Sequence, residues 1–230
     1  MPIAMHIPDG FLDGGTAALA AVPAVIAVGW GLRTAGRTLD ESRVPLLGVL
    51  AAFIFAAQML NFPVAGGTSG HFLGATLAAV LLGPWLACLV MAVVLATQAL
   101  AFADGGITAL GANVLNMGVL GAVFAGAAVG AAVKLLRPSR TTYLAVVGAV
   151  AWAAVMIGAA ATSLELAVSG TVPLGTVLPA MLGVHALIGI GEAVVTVTAV
   201  SAVLASRPDL IAVGDPDRMT AGAAPQPARI

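Results

Sequence analysis

Three histidines, His6, His71 and His185, stand in a chain that has few other ionisable groups. The first lies in the opening stretch MHIPDGFLDGG, directly after Met5. If Met5 carries the free amino terminus, three nitrogens can wrap one metal ion in fused five- and six-membered rings: the α-amine, the peptide nitrogen of His6 and its imidazole Nδ1. A second histidine would supply a fourth nitrogen. Four nitrogens in a plane suit Ni(II), Co(II) or Cu(II) and suit Mg(II) or Ca(II) badly. An unperturbed α-amine has a pKa of about 7.7–8.0, so it yields its proton to a metal near neutral pH and binding weakens in acid. Read from Met1, His6 is internal and this chelate cannot form. The chemistry therefore requires a start at Met5, or trimming of the leader MPIA.

His71 follows GGTSG, whose small residues let the backbone turn tightly beneath an external cavity. A histidine at a helix start is often a structural cap, but His71 shares its side of the molecule with His6. Asp9, Ser69 and Asn113 belong to the same external half, with Asn61 and Asp104, and are the candidates for holding the ligands in place. Asn113 and Asn116 lie one helical turn apart. They read either as interhelical glue worth about 0.6 kcal/mol each or as supports for the amino-terminal segment. His185 and Glu192, seven residues apart, share one helix face. The favoured reading of them is a buried structural pair, with a polar relay as the other. A reading from a different class takes GTSG as the motif of an intramembrane serine protease, with Ser69 as nucleophile and His185 as base.

The elements that must position these groups are membrane helices. Of 230 residues 60% are hydrophobic and 8% charged, with a mean hydropathy of +1.09. Soluble domains carry roughly 25% charged residues. The chain is expected to be an all-α integral membrane protein, a compact bundle of about seven transmembrane helices near 14–32, 44–62, 70–83, 84–102, 109–134, 141–165 and 178–205. Residues 1–13 form an amino-terminal segment, 14–205 the bundle, and 206–230 a polar tail expected to be disordered in the cytoplasm. With this helix count all nine Lys and Arg residues fall on one side, which places the amino terminus outside and the carboxyl terminus inside the cell membrane. Small-residue stripes run along two helices: Gly118, Ala122, Gly126 and Gly130, and Ala17, Ala21 with Ala20, Ala24. Such stripes pack a bundle internally or dock a partner.

Several functions are excluded. The single lysine, Lys134, is followed by Leu135, so there is no phosphate-binding G-x-x-x-x-G-K-[ST] loop and the chain is not an ATPase. H-E-x-x-H is absent, there is no basic run for nucleic acid, and the lone Cys88 permits no internal disulfide.

Three stretches together, MHIPDGFLDGG, PVAGGTSGHFLGA and ADGGITALGANVLNMGVLG, resemble the CbiM/NikM family, the substrate-binding membrane subunits of energy-coupling-factor ABC transporters for cobalt or nickel. The likeness runs from Met5 to about Ser206. It implies a seven-helix fold with the amino-terminal segment inserted into the bundle. It also implies a metal held by the amine of Met5, the backbone and imidazole nitrogens of His6, and His71. No cofactor and no enzymatic activity are implied; Co2+ or Ni2+ is the cargo. The implied partners are a transmembrane coupling protein (the T component), two ATPase subunits and a small accessory membrane protein.

Overall fold

The computed structural model describes residues 6–64 and 68–214. Asp13 starts the first helix, α1 (Gly14–Thr38), by accepting the amide protons of Gly15 at 2.8 Å and Thr16 at 3.1 Å. These are among the donors that a helix start leaves unpaired. A single turn at Glu41–Arg43 leads into α2 (Val44–Gln58). The chain then makes a feature that the hydropathy pattern does not announce. Strands β1 (Asn61–Val64) and β2 (Thr68–His71) form an antiparallel hairpin in which Asn61 lies opposite His71. After it come α3 (Ala75–Leu82), α4 (Pro84–Phe102), α5 (Leu110–Leu136), α6 (Arg140–Val168) and α7 (Leu174–Ser206).

Seven α-helices are thus present among the described residues, of which six are long and apolar enough to cross a bilayer. The expected third span, 70–83, is only partly helical: Gly70 and His71 belong to β2, and α3 begins at Ala75. Its eight helical residues are all buried and rise only about 12 Å, against a hydrocarbon core of about 30 Å. With these helical residues inside protein, the short helix keeps its backbone away from lipid.

Contacts define two ends of the bundle. At one end Phe55 packs on Phe102, Asp9 on Thr108, and the Phe11 carbonyl accepts from the Thr171 hydroxyl. At the other, Trp30 packs on Trp85, and the Tyr143 hydroxyl donates to the Val213 carbonyl at 2.7 Å. Arg33, Arg37, Arg43, Lys134, Arg137, Arg140 and Arg207 sit at this second end, at or near helix termini. Residues 207–214, expected in the tail, return to the bundle. Ile211 is buried, and the amides of Ala212 and Val213 bond the Val80 carbonyl. The rest of the tail, 215–230, lies outside the described residues.

Both small-residue stripes are used inside the bundle. A Cβ on Gly118 would stand 3.2 Å from Cys88 Sγ, one on Gly126 2.9 Å from Pro84 Cβ, and one on Gly111 2.6 Å from Ala21 Cβ. Close backbone approach of α5 to α4 and α1 requires those small residues. Outward helix faces carry large apolar side chains, such as Leu19 and Ile26 on α1 and Leu187 and Val194 on α7, exposed as lipid contact demands.

Candidate metal centre

Residues from the amino-terminal segment, the hairpin, α5, α6 and α7 enclose one cavity of about 60 Å³. A drug-sized ligand takes a pocket of roughly 300 Å³ or more, so this space suits an ion with few waters. His6, Ser69, His71, Asn113 and His185 all line it, with Asn116, Met117, Thr162 and Met181. His6 is buried at 5% exposure, and its ring stands 4.8 Å from that of His71 in an edge-on arrangement.

The histidine tautomers follow from their partners. His71 Nδ1 lies 2.8 Å from the Phe72 carbonyl and His185 Nδ1 lies 2.8 Å from the Met181 carbonyl. A carbonyl only accepts, so each Nδ1 carries the proton and each Nε2 keeps its lone pair. Such a bond to the distal nitrogen is what fixes metal-ligating histidines. His6 differs. Neither of its nitrogens has a hydrogen-bond partner among the described residues, although Nδ1 is 3.7 Å from an Asp104 carboxylate oxygen. Buried ring nitrogens without a partner cost free energy unless something else engages them, and a metal ion is one group of the right chemistry. Met5, whose amine the chelate requires, lies outside the described residues.

The amino-terminal segment is fastened on several sides. The Ile7 amide donates to Asn113 Oδ1 at 3.1 Å, and Asn113 Nδ2 donates to the Ile7 carbonyl at 3.2 Å, so one side chain mimics a strand partner. That carbonyl also accepts from Gly106 N at 2.9 Å. Asp9 accepts from the Thr108 hydroxyl at 2.5 Å and amide at 2.7 Å, which lowers its pKa below the usual carboxylate value. The hydroxyl and amide of Thr16 lower that of Asp13 to about 2. The pair Gly105–Gly106 is required here. Gly105 has φ +95°, and its Cβ would lie 2.9 Å from His6 Cβ, while a Cβ on Gly106 would strike the Pro8–Asp9 peptide.

The two asparagines have separate duties. Asn113 holds Ile7, whereas Asn116 donates to Thr162 Oγ1 at 3.1 Å and Glu165 Oε2 at 2.7 Å, tying α5 to α6. Between them the helix widens into a π-helical stretch, Leu115–Val123, which supplies Asn116 and Met117 to the cavity. Such widened turns are frequent at functional sites.

His185 and Glu192 share a helix face, as expected, but do not bond each other. His185 faces the cavity and packs against Gly70, whose Cβ would lie 3.2 Å from the imidazole. Glu192 instead accepts the amide protons of Leu73 at 2.8 Å and Gly74 at 2.9 Å. The sequence singled out Glu192 without indicating these partners, because its target is backbone and carries no residue signature.

Comparison with known proteins identifies the family. Residues 6–210 match the CbiM family, described as the cobalt uptake substrate-specific transmembrane region. The chain belongs to the CbiM family. It is 39% identical over 222 residues to a fused nickel transport protein, NikMN, of Rhodobacter capsulatus, covering 90% of this chain and 64% of that one. It is 34% identical over 238 residues to the cobalt transport protein CbiM of Geobacter sulfurreducens, covering 99% and 67% respectively. The chain thus spans about two thirds of these relatives. A solved truncated transition metal transporter superposes with a TM-score of 0.80 at 32% identity, covering 87% of this chain and 99% of that one. As a CbiM-family chain this is a multi-pass membrane transport component and not an enzyme. The serine-protease reading therefore falls, although Ser69 and His185 do line the same cavity.

Proposed function

We propose that the chain is the substrate-capture subunit of an ATP-driven energy-coupling-factor uptake system for Co2+ or Ni2+. The observation that carries this reading is the pairing of two histidine rings 4.8 Å apart at a small buried cavity, with both His6 nitrogens lacking a hydrogen-bond partner among the described residues. The ion sheds its water and is held by the amine of Met5, the backbone and imidazole nitrogens of His6, and Nε2 of His71. Asp9 and Asn113 hold the chelating segment, and Ser69 supports His71 from the hairpin. The basic end of the bundle faces the cytoplasm by the positive-inside rule, so the cavity loads from outside. Energy comes from partners: a T component, two ATPase subunits and a small accessory membrane protein.

Intact-mass analysis of the purified protein, with metal content measured on the same sample, tests the proposal. It expects a chain beginning at Met5 with one Co or Ni ion. A chain that begins at Met5 and binds neither ion would remove the reading.

A further inference from the structure

We propose that Glu192 is a positioning residue for metal binding: by holding the Leu73 and Gly74 amides it sets where His71 stands. This rests on the metal-capture reading above. Ser69, His71 and Leu73 line the cavity, whereas Phe72 lines an apolar groove on the opposite side, as the alternation of an extended chain requires. Glu192 also borders that groove, so it stands in the wall between the two spaces. Its carboxylate is 1% exposed, yet each oxygen accepts one backbone proton, from residues two and three positions beyond His71.

Those amides precede the first turn of α3, so the buried carboxylate also meets the positive end of a helix. A buried carboxyl group in a membrane protein is expensive unless its oxygens are bonded. Gln58 Nε2 bonds the Leu73 carbonyl at 3.0 Å, so Leu73 is held at both its amide and its carbonyl. Two bonds from one side chain, to successive amides, define a position more sharply than one. Glu192 and His185 lie on the same helix, and His185 and Ile188 pack against Gly70. One element, α7, therefore grips the backbone on both sides of His71. The sequence predicts a shared face for these residues; the structure assigns that face to the ligand loop.

The test uses the full chain in lipid nanodiscs, with Ni(II) affinity from competition against a chromogenic chelator and dissociation into excess EDTA. Glu192→Gln keeps the size but puts an amide NH2 against one of the two backbone donors. Supports behind metal ligands typically govern affinity by 10–100-fold, so Ni(II) should bind roughly 10–100-fold more weakly, mainly through faster dissociation. Thr196→Val is the matched control, one turn along the same face, with a buried hydroxyl that has no hydrogen-bond partner among the described residues. It should leave Ni(II) binding unchanged. Wild-type binding together with loss in His71→Ala establishes the capture site independently. Equal Ni(II) binding in Glu192→Gln and wild type would then overturn the positioning role alone. If wild type binds neither Ni(II) nor Co(II), both readings fall. Should Glu192→Gln not fold, Glu192→Asp, which draws the carboxyl group back by one methylene, decides. Weaker Ni(II) binding than wild type supports the role, and binding equal to wild type overturns it.

Discussion

Replacing Asn113 by alanine probes how the chelating segment is held. Asn113 and Ile7 are 4% and 5% exposed, so bulk water has little access to their bonds. The substitution leaves the Ile7 amide unpaired, at about 1–3 kcal/mol for a buried donor. It also removes the Nδ2 bond to the Ile7 carbonyl, worth a further ~0.5–1.5 kcal/mol because that oxygen keeps its bond from Gly106. The docked segment is therefore weakened by about 1.5–4.5 kcal/mol, or roughly 10-fold to 2,000-fold in its docking equilibrium. Apparent metal affinity scales with the fraction of chains whose segment is docked. The tethers at Asp9 and Phe11 keep part of the population in place. Ni(II) affinity at pH 7.5 should consequently fall by at least about tenfold, while the apo-protein stays folded. Asn116→Ala is the comparison. It cuts the α5–α6 bonds to Thr162 and Glu165, so it should lower thermal stability and leave affinity near wild type. If Asn113→Ala is folded and binds Ni(II) like wild type, the side chain does not hold the site and the argument fails.

His6→Ala and His71→Ala should each abolish tight Ni(II) binding in the same competition assay, with little change in thermal unfolding of the apo-protein. Gly105→Ala and Gly106→Ala should both displace the amino-terminal segment, the first by a positive φ and a contact on His6, the second by collision with the Pro8–Asp9 peptide. Each should lose Ni(II) binding while helix content by circular dichroism is preserved. The pH dependence has a definite sign. Asp9 and Asp13 are lowered from 3.8, so their contribution to folding is complete above that value and is lost as pH falls through the folded pKa, about 2 for Asp13. Weaker Ni(II) binding between pH 7 and 5 then does not come from Asp9 or Asp13, and Asp9→Asn should show the same pH profile as wild type.

Much of the architecture was legible because lipid imposes it. The apolar runs mark the helices, the basic residues mark one end, and the small-residue stripes mark α5 and α1, where Gly118, Gly126 and Ala21 make close contacts. His6 and His71 were legible as candidates through motif and side, and the rings are indeed adjacent. What was hidden depends on tertiary context. The second strand ends directly before the apolar residues of α3, so Gly70 and His71 read as the start of that helix although His71 lies in a strand. The roles of Asn113 and Asn116 were indistinguishable by spacing. Between them the backbone passes into a π-helical stretch, which departs from the 3.6-residue period on which a shared-face argument relies. Glu192 bonds backbone amides, and backbone leaves no trace in a side-chain pattern.

The proposed site has unequal halves, and this decides how an ion leaves it. Three nitrogens come from the amino-terminal segment, which is bonded to α5 and the loop before it through Ile7 and Asp9. One comes from His71, which is held from α7 through Glu192. Detaching the chelating half requires three metal–nitrogen bonds to break together, whereas withdrawing His71 breaks one. Release should therefore begin on the hairpin side. The two perturbations then act on different rate constants. Asn113→Ala reduces the population able to load, so it should slow association of Ni(II) and leave dissociation nearly unchanged. Glu192→Gln leaves the chelating segment docked and loosens the single-nitrogen side, so it should speed dissociation and leave association nearly unchanged. Stopped-flow mixing of Ni(II) with each variant, followed by chase into EDTA, separates the two. If both variants change the same rate constant, the halves do not act independently and release does not start at His71.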